Sequence, residues 1–476
     1  MTPRVPLRQA LSDPALLGRA LGGDTWAAWR AILIAAMGEP LEAAELEHFR
    51  RLTGRAEPAE ARAEELWGIV GRRGGKTRAM STLAVYLACL CDWRDRLTTG
   101  ERGLALCIAP DQRQAGIALG YAAGLIAEIP LLSPLLVGRT EDTLRLSTGV
   151  DLEVRSASFR RLRGPTYVAV LVDEAAFLLI DGSANPDKEI LDAVRPGLAT
   201  TDGLLAVISS PYGRRGEVFE TYRRHHGPDG DPLVLVAKGA SRDFNPSLPQ
   251  GVIDRALARD PAAAKAEYLG EFRDDLEAYV SREAVEACVS KGIFERPPLP
   301  HLDYVAMADP SGGRSDSMTL AIAHCEGDAA VLDLLREVRP PFNPESVVAE
   351  FAADLKRYRC RTAKMDRYGA EWVSSAFSRY GIEVRPADAA KSDLYASLLP
   401  ALNSALVQLL DSDRLVGQLI ALERRTSRSG KDSIDHPPSA HDDLANAAAG
   451  ALVAAAMRQP DVLQPLGGSM LVEMYN

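Results

Sequence analysis

Cysteine and histidine are scarce in this chain, and their scarcity restricts the chemistry that it can perform. The 476 residues include six cysteines and seven histidines, and the cysteines do not have the spacing of a zinc site. Scattered cysteines of this kind are typical of a reducing, cytosolic compartment. We therefore expect free thiols and no zinc. The six positions are Cys89, Cys91, Cys107, Cys288, Cys325 and Cys360.

Long apolar runs, internal repeats and low-complexity tracts are missing as well. No stretch approaches the roughly 20 apolar residues that a membrane-spanning helix needs, and the N-terminus has no apolar signal-peptide core. We therefore expect a cytosolic protein that has no membrane partner.

Excess positive charge is also missing, because the formal net charge is −10. This argues against a chain that is basic over its whole surface, but DNA binding depends on local patches. Three such patches are visible, and each can equally be an ordinary solvated face. They are Arg160-Arg161-Leu162-Arg163, Arg214-Arg215 and Arg223-Arg224-His225-His226.

A glycine-rich loop lies between an apolar run at 66–70 and a predicted helix at 78–90. Such loops wrap backbone N–H groups around phosphates, their lysine reaches the β- and γ-phosphates, and their hydroxyl residue ligates Mg²⁺. Val70 stands where the usual pattern has its first glycine, so the loop alone is also compatible with a plain strand-to-helix turn. The candidate ATP-binding residues are Gly71, Arg72, Arg73, Gly74, Gly75, Lys76 and Thr77.

A second motif favours the nucleotide site over the plain turn. The apolar run 168–172 predicts a buried strand that ends in Asp173 and Glu174, and ligands of parallel α/β sheets bind at such strand ends. Asp173 would hold the Mg²⁺ shell of ATP, and Glu174 would orient or deprotonate the attacking water. The two motifs together predict hydrolysis of a nucleoside triphosphate.

Strand and helix patterns alternate from 66 to about 240, which predicts an α/β fold with a mainly parallel sheet. The predicted strands are 66–70, 104–109, 144–154, 167–172, 204–209 and 233–237. We predict five segments: a helical N-terminal part (1–60), a P-loop ATPase core (61–244), a helical linker (245–300), a second α/β unit (301–458) and a flexible tail (459–476).

The second unit carries carboxylates of its own. Asp309 and Asp366 each follow a predicted strand, and Asp442 and Asp443 open a predicted helix at 444–457. This is the layout of a ribonuclease-H-like nuclease, in which three carboxylates hold two Mg²⁺ or Mn²⁺ ions about 3.5–4 Å apart. The alternative is a turn, a strand cap and two helix N-caps. Neighbouring helical residues point about 100° apart, so Asp442 and Asp443 cannot both face one site.

These motifs, in this order, resemble those of the large terminase subunits of tailed double-stranded DNA bacteriophages and their prophage or gene-transfer relatives. The resemblance covers about 25–457. It rests on the loop 71–77, on 109–115, on 162–164 with 172–175, on 208–211, on 245–246 with 267–272, on 309–313 with Asp316, on Asp366 and on 441–443.

The resemblance implies a DNA-packaging motor, in which an ATPase pumps double-stranded DNA into a procapsid and a metal-dependent endonuclease cuts concatemeric DNA. The implied partners are double-stranded DNA, the small terminase subunit and the portal protein. The chain would form a homo-oligomeric ring on the portal or be monomeric in solution, in the host cell cytoplasm and transiently at the portal. The alternative is a DNA-repair or helicase-type ATPase with a non-catalytic nucleic-acid-binding C-terminal module.

The resemblance also implies roles for single residues. Arg72, or its neighbour Arg73, would be the arginine that triggers ATP hydrolysis, unless it forms a salt bridge with the protein's own acidic surface. Ser209 and Ser210 end a predicted strand beside the nucleotide and would couple hydrolysis to movement, unless they form a plain turn.

Two further positions carry implied roles. Asp443 is preferred over Asp442 as the third nuclease carboxylate, because 443–447 is similar to the family's Asp-x-x-Asp-Ala pattern. Asn446 replaces the second aspartate of that pattern. The segment 26–30 lies where the family contacts adenine, although Trp26 and Trp29 can equally be core residues.

Overall fold

The chain forms two compact units that meet in sequence at Asp275 and Leu276. The computed structural model describes residues 1–157, 162–178, 186–310, 317–365, 371–426, 432–437 and 440–457. Of these residues, those up to Asp275 belong to unit 1 and those from Leu276 onward to unit 2. The division lies inside the predicted linker 245–300.

Unit 1 alternates strands and helices, as the sequence predicts. Its strands are β1 (Thr2–Pro3), β2 (Glu65–Val70), β3 (Cys91–Asp92), β4 (Gly103–Ala109), β5 (Leu136–Arg139), β6 (Thr143–Leu146), β7 (Val150–Ser156), β8 (Tyr167–Asp173), β9 (Leu204–Ser209) and β10 (Val234–Gly239). Its helices are α1 (Leu7–Ser12), α2 (Ala27–Ala36), α3 (Ala43–Thr53), α4 (Lys76–Cys89), α5 (Gln112–Glu128), α6 (Pro186–Ala199), α7 (Gly216–His225), α8 (Ser241–Phe244), α9 (Gln250–Arg259) and α10 (Pro261–Leu269).

The main sheet of unit 1 has the strand order β10-β2-β9-β8-β4-β7-β6-β5 in the described residues. Strands β10 through β7 are parallel, and β6 and β5 add an antiparallel edge. The predicted mainly parallel sheet is therefore confirmed. The prediction of one strand at 144–154 is wrong, because Gly149 turns the chain with φ 89° and makes β6 and β7 a hairpin.

Both faces of this sheet are covered, which explains why β8 is apolar throughout. Every residue of β8 is buried, as expected for a parallel strand between two helical layers. Helices α4 and α5 contribute to the core on one face, and α6 contributes to the core on the other. The carboxyl ends of β2, β9 and β8 meet at one edge, where Ile69 pairs with Ser209 and Asp173 pairs with Ile208.

Unit 2 is a second α/β fold. Its strands are β11 (Leu276–Ala278), β12 (Val305–Asp309), β13 (Met318–Glu326), β14 (Ala329–Val338), β15 (Thr362–Met365), β16 (Glu383–Pro386), β17 (Val407–Gln408), β18 (Glu423–Thr426) and β19 (Asp432–Asp435). Its helices are α11 (Arg282–Ala287), α12 (Pro344–Arg357), α13 (Glu371–Ser378), α14 (Lys391–Asn403), α15 (Asp413–Ala421) and α16 (Asp443–Ala456).

The main sheet of unit 2 has the order β16-β15-β12-β13-β14-β17 in the described residues. Strands β12, β13 and β14 are antiparallel neighbours, and β15 and β16 run parallel to β12. In chain order these five strands are arranged 5-4-1-2-3, which confirms the predicted ribonuclease-H-like fold. A smaller sheet joins β11, β18 and β19.

The alanine-rich helix α16 packs closely on this main sheet. Gly450 faces Met307 on β12 so tightly that a Cβ atom at 450 would lie 2.6 Å from the Met307 Cγ. Small residues along α16 therefore bring its first turn, with Asp443, close to the edge at which β12 ends. Within the described ranges, no helix combines the length and the apolar character needed to cross a lipid bilayer.

Candidate active sites

The loop between β2 and α4 in unit 1 can adopt its shape only because of its glycines. Gly75 has φ 82°, and a Cβ atom there would lie 2.7 Å from the Trp26 ring. A Cβ atom at Gly74 would lie 2.5 Å from Val70 Cγ1. The absence of a first glycine at 70 is tolerated because Val70 is the last residue of β2.

Side chains from distant parts of unit 1 hold three carbonyl oxygens of this loop. Trp29 donates its indole N–H to the Gly74 oxygen at 2.6 Å. The Ser241 hydroxyl donates to the Arg72 oxygen at 2.6 Å, and the Asn245 amide donates to the Arg73 oxygen at 2.8 Å. Trp29 is fully buried, which agrees with its alternative interpretation as a core residue.

The loop lysine and threonine lie directly beside the two strand-end carboxylates. Lys76 is 6% exposed and donates to the Val70 oxygen at 2.9 Å and the Ser210 hydroxyl at 2.8 Å. Its Nζ lies 3.4 Å from Glu174 Oε1. Thr77 Oγ1 donates to Asp173 Oδ2 at 2.8 Å. The predicted nucleotide-binding residues of the two motifs are thus brought together at one sheet edge.

Asp173 carries an unsatisfied oxygen at the centre of this site. The side chain is 3% exposed, and burial together with the neighbouring Glu174 charge raises the pKa of Asp173 to about 6. Its Oδ1 is buried and has no hydrogen-bond partner among the described residues. Carboxylate oxygen suits a hard cation, so the site fits the Mg²⁺ that accompanies ATP.

The backbone is strained where β8 ends. Glu174 has φ 49°, a conformation that non-glycine residues adopt at energetic cost and that is concentrated at functional sites. Its Oε2 accepts from the Ser210 N–H at 3.2 Å. Ser209 Oγ accepts from the Ala176 N–H at 3.1 Å. Both predicted coupling serines are buried; Ser210 contacts Lys76 and Glu174, whereas Ser209 contacts the segment after Glu174.

Arg72 forms an ion pair within unit 1. Its side-chain Nη1 lies 3.1 Å from Glu267 Oε1. The Arg72 backbone N–H also donates to the backbone oxygen of Glu267. The Arg72 side chain is 55% exposed, and an exposed pair of this kind contributes at most about 1 kcal/mol. The pair is therefore easily exchanged for another anion. The sequence assigned no role to Glu267, Ser241 or Asn245, although 245–246 and 267–272 belong to the resembling segments.

In unit 2, Asp309 and Asp443 lie at the same edge of the sheet. Asn446, one turn after Asp443 on α16, donates its Nδ2 to Asp309 Oδ2 at 2.7 Å. Asp443 Oδ2 accepts from the Ser317 N–H at 3.2 Å, and its backbone oxygen accepts from the Thr319 hydroxyl at 3.0 Å. Thr319 is the register partner of Asp309. Two of the predicted nuclease carboxylates, Asp309 and Asp443, are thus connected through Asn446 and Thr319.

The third predicted carboxylate, Asp366, lies outside the described residues, as does Asp316. The strand that precedes Asp366 is described: β15 runs parallel to β12, with Met365 paired to Ala308. The role of Asp366 as a nuclease carboxylate therefore stays a prediction.

Asp442 points away from Asp443's partners. It is 5% exposed, and its Oδ2 accepts from the Tyr395 hydroxyl at 2.8 Å and lies 3.1 Å from Lys391 Nζ. Oxygen and nitrogen ligand atoms of Asp442, Asp435 and His436 lie within 4.8 Å of one another. The Lys391 ammonium already supplies the positive charge of this group. The choice of Asp443 as the nuclease carboxylate stays a prediction.

Asn446 is the position at which the chain departs from the terminase pattern. Its Oδ1 is buried and has no hydrogen-bond partner among the described residues. A buried amide oxygen beside carboxylates is a ligand type that Mg²⁺ and Mn²⁺ accept. The residues present therefore fit a divalent metal site of oxygen ligands.

Arginines of two predicted basic patches lie at the surface of unit 1. Arg214 lies 3.8 Å from Asp274, and Arg223 and Arg224 lie 2.6 and 3.6 Å from Glu220. Each of these arginines is at least 60% exposed. Arg160 and Arg161 lie outside the described residues. That these exposed arginines contact DNA phosphates stays a prediction.

No protein-family model and no curated protein matches the sequence, but solved structures do. The crystal structure of the HK97 bacteriophage large terminase matches 83% of this chain and 91% of its own, at 14% identity and a TM-score of 0.37. The ATPase domain of the Thermus phage P74-26 large terminase matches 50% and 96%, at 21% identity and 0.36. The large terminase nuclease of a thermophilic phage with bound magnesium matches 37% and 96%, at 15% identity and 0.32.

All three are large terminases or their domains, the family that the motifs resemble.

Proposed function

We propose that this chain is the large subunit of a viral DNA-packaging terminase. It hydrolyses ATP to drive double-stranded DNA into a procapsid, and it cuts concatemeric DNA with a metal-dependent endonuclease. The observation that carries the proposal is the contact of Thr77 with Asp173, beside Lys76 and Glu174, in a chain whose second unit joins Asp309 to α16 through Asn446.

In unit 1, each residue of the cluster has a task that its contacts support. Mg²⁺, when bound with ATP, supplies positive charge to the phosphates. Lys76 exchanges its bonds to Val70 and Ser210 for phosphate oxygens, and Thr77 and Asp173 offer oxygen ligands. Glu174 orients the attacking water, since its carboxylate is fixed by the Ser210 N–H. Arg72, a residue of the loop itself, would exchange its exposed pair with Glu267 for an anion in the loop.

In unit 2, Asp309, Asp366 and Asp443 would hold two Mg²⁺ or Mn²⁺ ions. Such ions activate water and stabilise the leaving oxygen of a phosphodiester. Asn446 keeps Asp309 oriented through its amide N–H, and Ser317 and Thr319 do the same for Asp443.

The proposed partners follow from the activity. They are double-stranded DNA, a small terminase subunit and the portal protein, with the chain forming a ring at the portal. The proposed location is the host cell cytoplasm and, transiently, the procapsid portal.

The ATPase part is tested with two variants of the full chain. Lys76→Ala removes the phosphate-binding ammonium, so nucleotide binding should be lost. Glu174→Gln keeps binding but removes the base, so turnover should fall by about 10²-fold or more. Glu128→Gln, on the exposed end of α5, is the control. Normal ATP hydrolysis by Glu174→Gln would contradict the assignment.

The nuclease part is tested on circular plasmid with Mg²⁺, Mn²⁺ or a chelator. Asp309→Asn, Asp366→Asn and Asp443→Asn should each abolish metal-dependent nicking and spare ATP hydrolysis, whereas Asp442→Asn should cost less. Asp328→Asn, in the turn between β13 and β14, is the control. Equal nicking by the wild type and Asp366→Asn would rule out the metal site.

A second candidate function is a DNA-repair or helicase-type ATPase with a non-catalytic nucleic-acid-binding unit 2. The observation that favours it is Asn446, which has an amide where the family pattern has a carboxylate. Its side-chain N–H donates a hydrogen bond to Asp309. Strand separation on forked DNA without cleavage of intact duplex would support this alternative over the terminase.

A further inference from the structure

A small network of polar side chains, of which Tyr395 and Asp442 are buried, precedes Asp443 in unit 2. Lys391 and Tyr395 lie one turn apart on α14 and both reach Asp442. Tyr395 is fully buried and Asp442 nearly so. Lys391 also lies 2.6 Å from Asp435 Oδ1 on β19. The network thus joins α14, β19 and the residue that immediately precedes Asp443.

Asp442 occupies the N-cap position of α16, but its carboxylate makes no capping hydrogen bond to the helix. A capping aspartate ordinarily accepts from the second or third helical N–H. Here the carboxylate turns to α14 instead, while the Asp442 backbone oxygen accepts from the Asn446 N–H at 2.7 Å. The side chain therefore anchors the start of α16 to another helix.

This anchor sets the direction of the next residue. Asp442 at the N-cap contacts α14, whereas Asp443, the first helical residue, contacts β13. Asp443 then meets Ser317 and Thr319, and Asn446, one turn further along α16, meets Asp309.

Tyr395 is itself held in place from the first strand of unit 2. Tyr279 follows β11, and its hydroxyl donates to the backbone carbonyl oxygen of Tyr395 at 2.7 Å. The two rings lie 5.8 Å apart, and both are buried. The position of the Tyr395 hydroxyl is therefore fixed by packing as well as by Asp442.

We propose that Tyr395 and Lys391 are positioning residues of the nuclease site. By holding Asp442 they fix the start of α16 and thereby orient Asp443 and Asn446 toward Asp309. The effect on cleavage rests on the proposed nuclease function, whereas the anchoring of α16 is measurable without it.

Hydrogen exchange of the full chain tests the anchoring. Tyr395→Phe and Lys391→Met should each accelerate exchange of the Ala445 and Asn446 amides, at the first turn of α16, by about tenfold or more relative to the wild type. Peptides of unit 1 should be unchanged. Tyr380→Phe, an exposed tyrosine of the same unit, is the matched control. Wild-type exchange at these amides in both variants overturns the proposal.

Plasmid nicking tests the consequence for the site. Residues that orient metal ligands typically cost about 10–100-fold in metal affinity or activity when removed. Tyr395→Phe should lower kcat about tenfold and raise the Mn²⁺ concentration for half-maximal rate, with the KM for DNA and the ATPase rate unchanged. Lys391→Arg should retain more activity than Lys391→Met.

A double variant shows whether Tyr395 acts through Asp442. In an Asp442→Ala background, Tyr395→Phe should add less than about a twofold loss, since Asp442→Ala has already removed the acceptor of the Tyr395 hydroxyl. If the wild type nicks DNA and Tyr395→Phe shows the same metal dependence, the positioning role is wrong. If the wild type does not nick DNA at all, the nuclease function fails, and the exchange measurement still decides whether α16 is anchored.

Discussion

Asp173 shows how one residue links stability to the nucleotide site. Burial and the Glu174 charge raise its pKa from the usual 3.8 to about 6. Between these values the folded protein keeps a proton that the unfolded chain has lost, so this group destabilises the fold as the pH rises through that window. Two pKa units correspond to about 3 kcal/mol. A cation that binds Asp173 Oδ1 would remove this cost.

We therefore expect Asp173→Asn to be more stable than the wild type at pH 7.5 without nucleotide, by up to about 3 kcal/mol. The difference should shrink below pH 5, because the wild-type carboxyl is then protonated in the folded state. Urea unfolding of both proteins at the two pH values measures it. A difference that is the same at both pH values would show that Asp173 titrates normally.

Arg55 is a second residue whose contacts allow a numerical expectation. It is 8% exposed and donates to the backbone oxygens of Gly227, His225, Asp231 and Val234. Removing it leaves buried carbonyls without donors, each at a cost of about 1–3 kcal/mol.

Arg55→Ala should lower the free energy of unfolding by about 3–5 kcal/mol. Arg51→Ala, which removes an exposed pair with Asp243, should cost about 1 kcal/mol or less. Denaturant titration compares the two variants. Equal losses would mean that the four carbonyl contacts of Arg55 contribute nothing beyond a surface pair.

At the scale of elements, local pattern predicted the sheets but not the contacts between distant segments. Strands β8 and β9 lie within one residue of the predicted 167–172 and 204–209, because buried parallel strands are continuous apolar runs. The β6–β7 hairpin was missed, since apolar residues continue on both sides of a turn that only Gly149 marks. Sequence spacing could not show that Ser241 and Asn245 hold the nucleotide loop, since those contacts span about 170 residues.

At the start of α16, too, the sequence pattern did not predict contacts between distant segments. The pattern placed Asp442 and Asp443 at a helix start and predicted that only one of them faces the candidate metal site. In the structure Asp442 contacts Tyr395 and Lys391, on a different helix. Those contacts are tertiary and leave no periodic signal in the sequence.

The packing of α16 on β12 yields a prediction for a whole element. Alanine forms helices better than glycine by about 1 kcal/mol, but Gly450→Ala would place a methyl group against the buried Met307 side chain. We expect a net loss of about 1–2 kcal/mol. Met307→Val should relieve part of this loss in the double variant, as thermal unfolding would show. A stabilised Gly450→Ala would mean that α16 moves freely on the sheet.

At the scale of the whole molecule, each unit has cores of its own. Among the residues that the structure describes, unit 1 contains two clusters of buried apolar side chains, and unit 2 contains two others. Domains with their own cores can fold alone. We expect fragments 1–275 and 276–476 each to give a cooperative melting curve by circular dichroism. A fragment without such a transition would show that its unit depends on the other.

The proposed coupling between ATP hydrolysis and DNA movement would be a property of the whole molecule and is testable at Ser209. Ser209→Ala removes the contact with the Ala176 N–H but leaves Lys76, Thr77, Asp173 and Glu174 untouched. ATP binding and plasmid nicking should survive, while packaging into procapsids fails. Ser210→Ala should in addition weaken ATP binding, because Ser210 contacts Lys76. Packaging at the wild-type rate by Ser209→Ala would end the coupling hypothesis.

The contacts that hold the carbonyl oxygens of the loop 71–77 cannot all form at the same time during synthesis on the ribosome. Trp29 precedes the loop, whereas Ser241 and Asn245 are translated long after Thr77. At about 5–20 residues per second, the ribosome needs on the order of 10–30 s to reach Asn245 from Thr77. During this interval the loop lacks two of its three supports, and β2 lacks its neighbours β9 and β10. The nascent chain therefore completes its candidate ATP site late, after most of unit 1 has been synthesised.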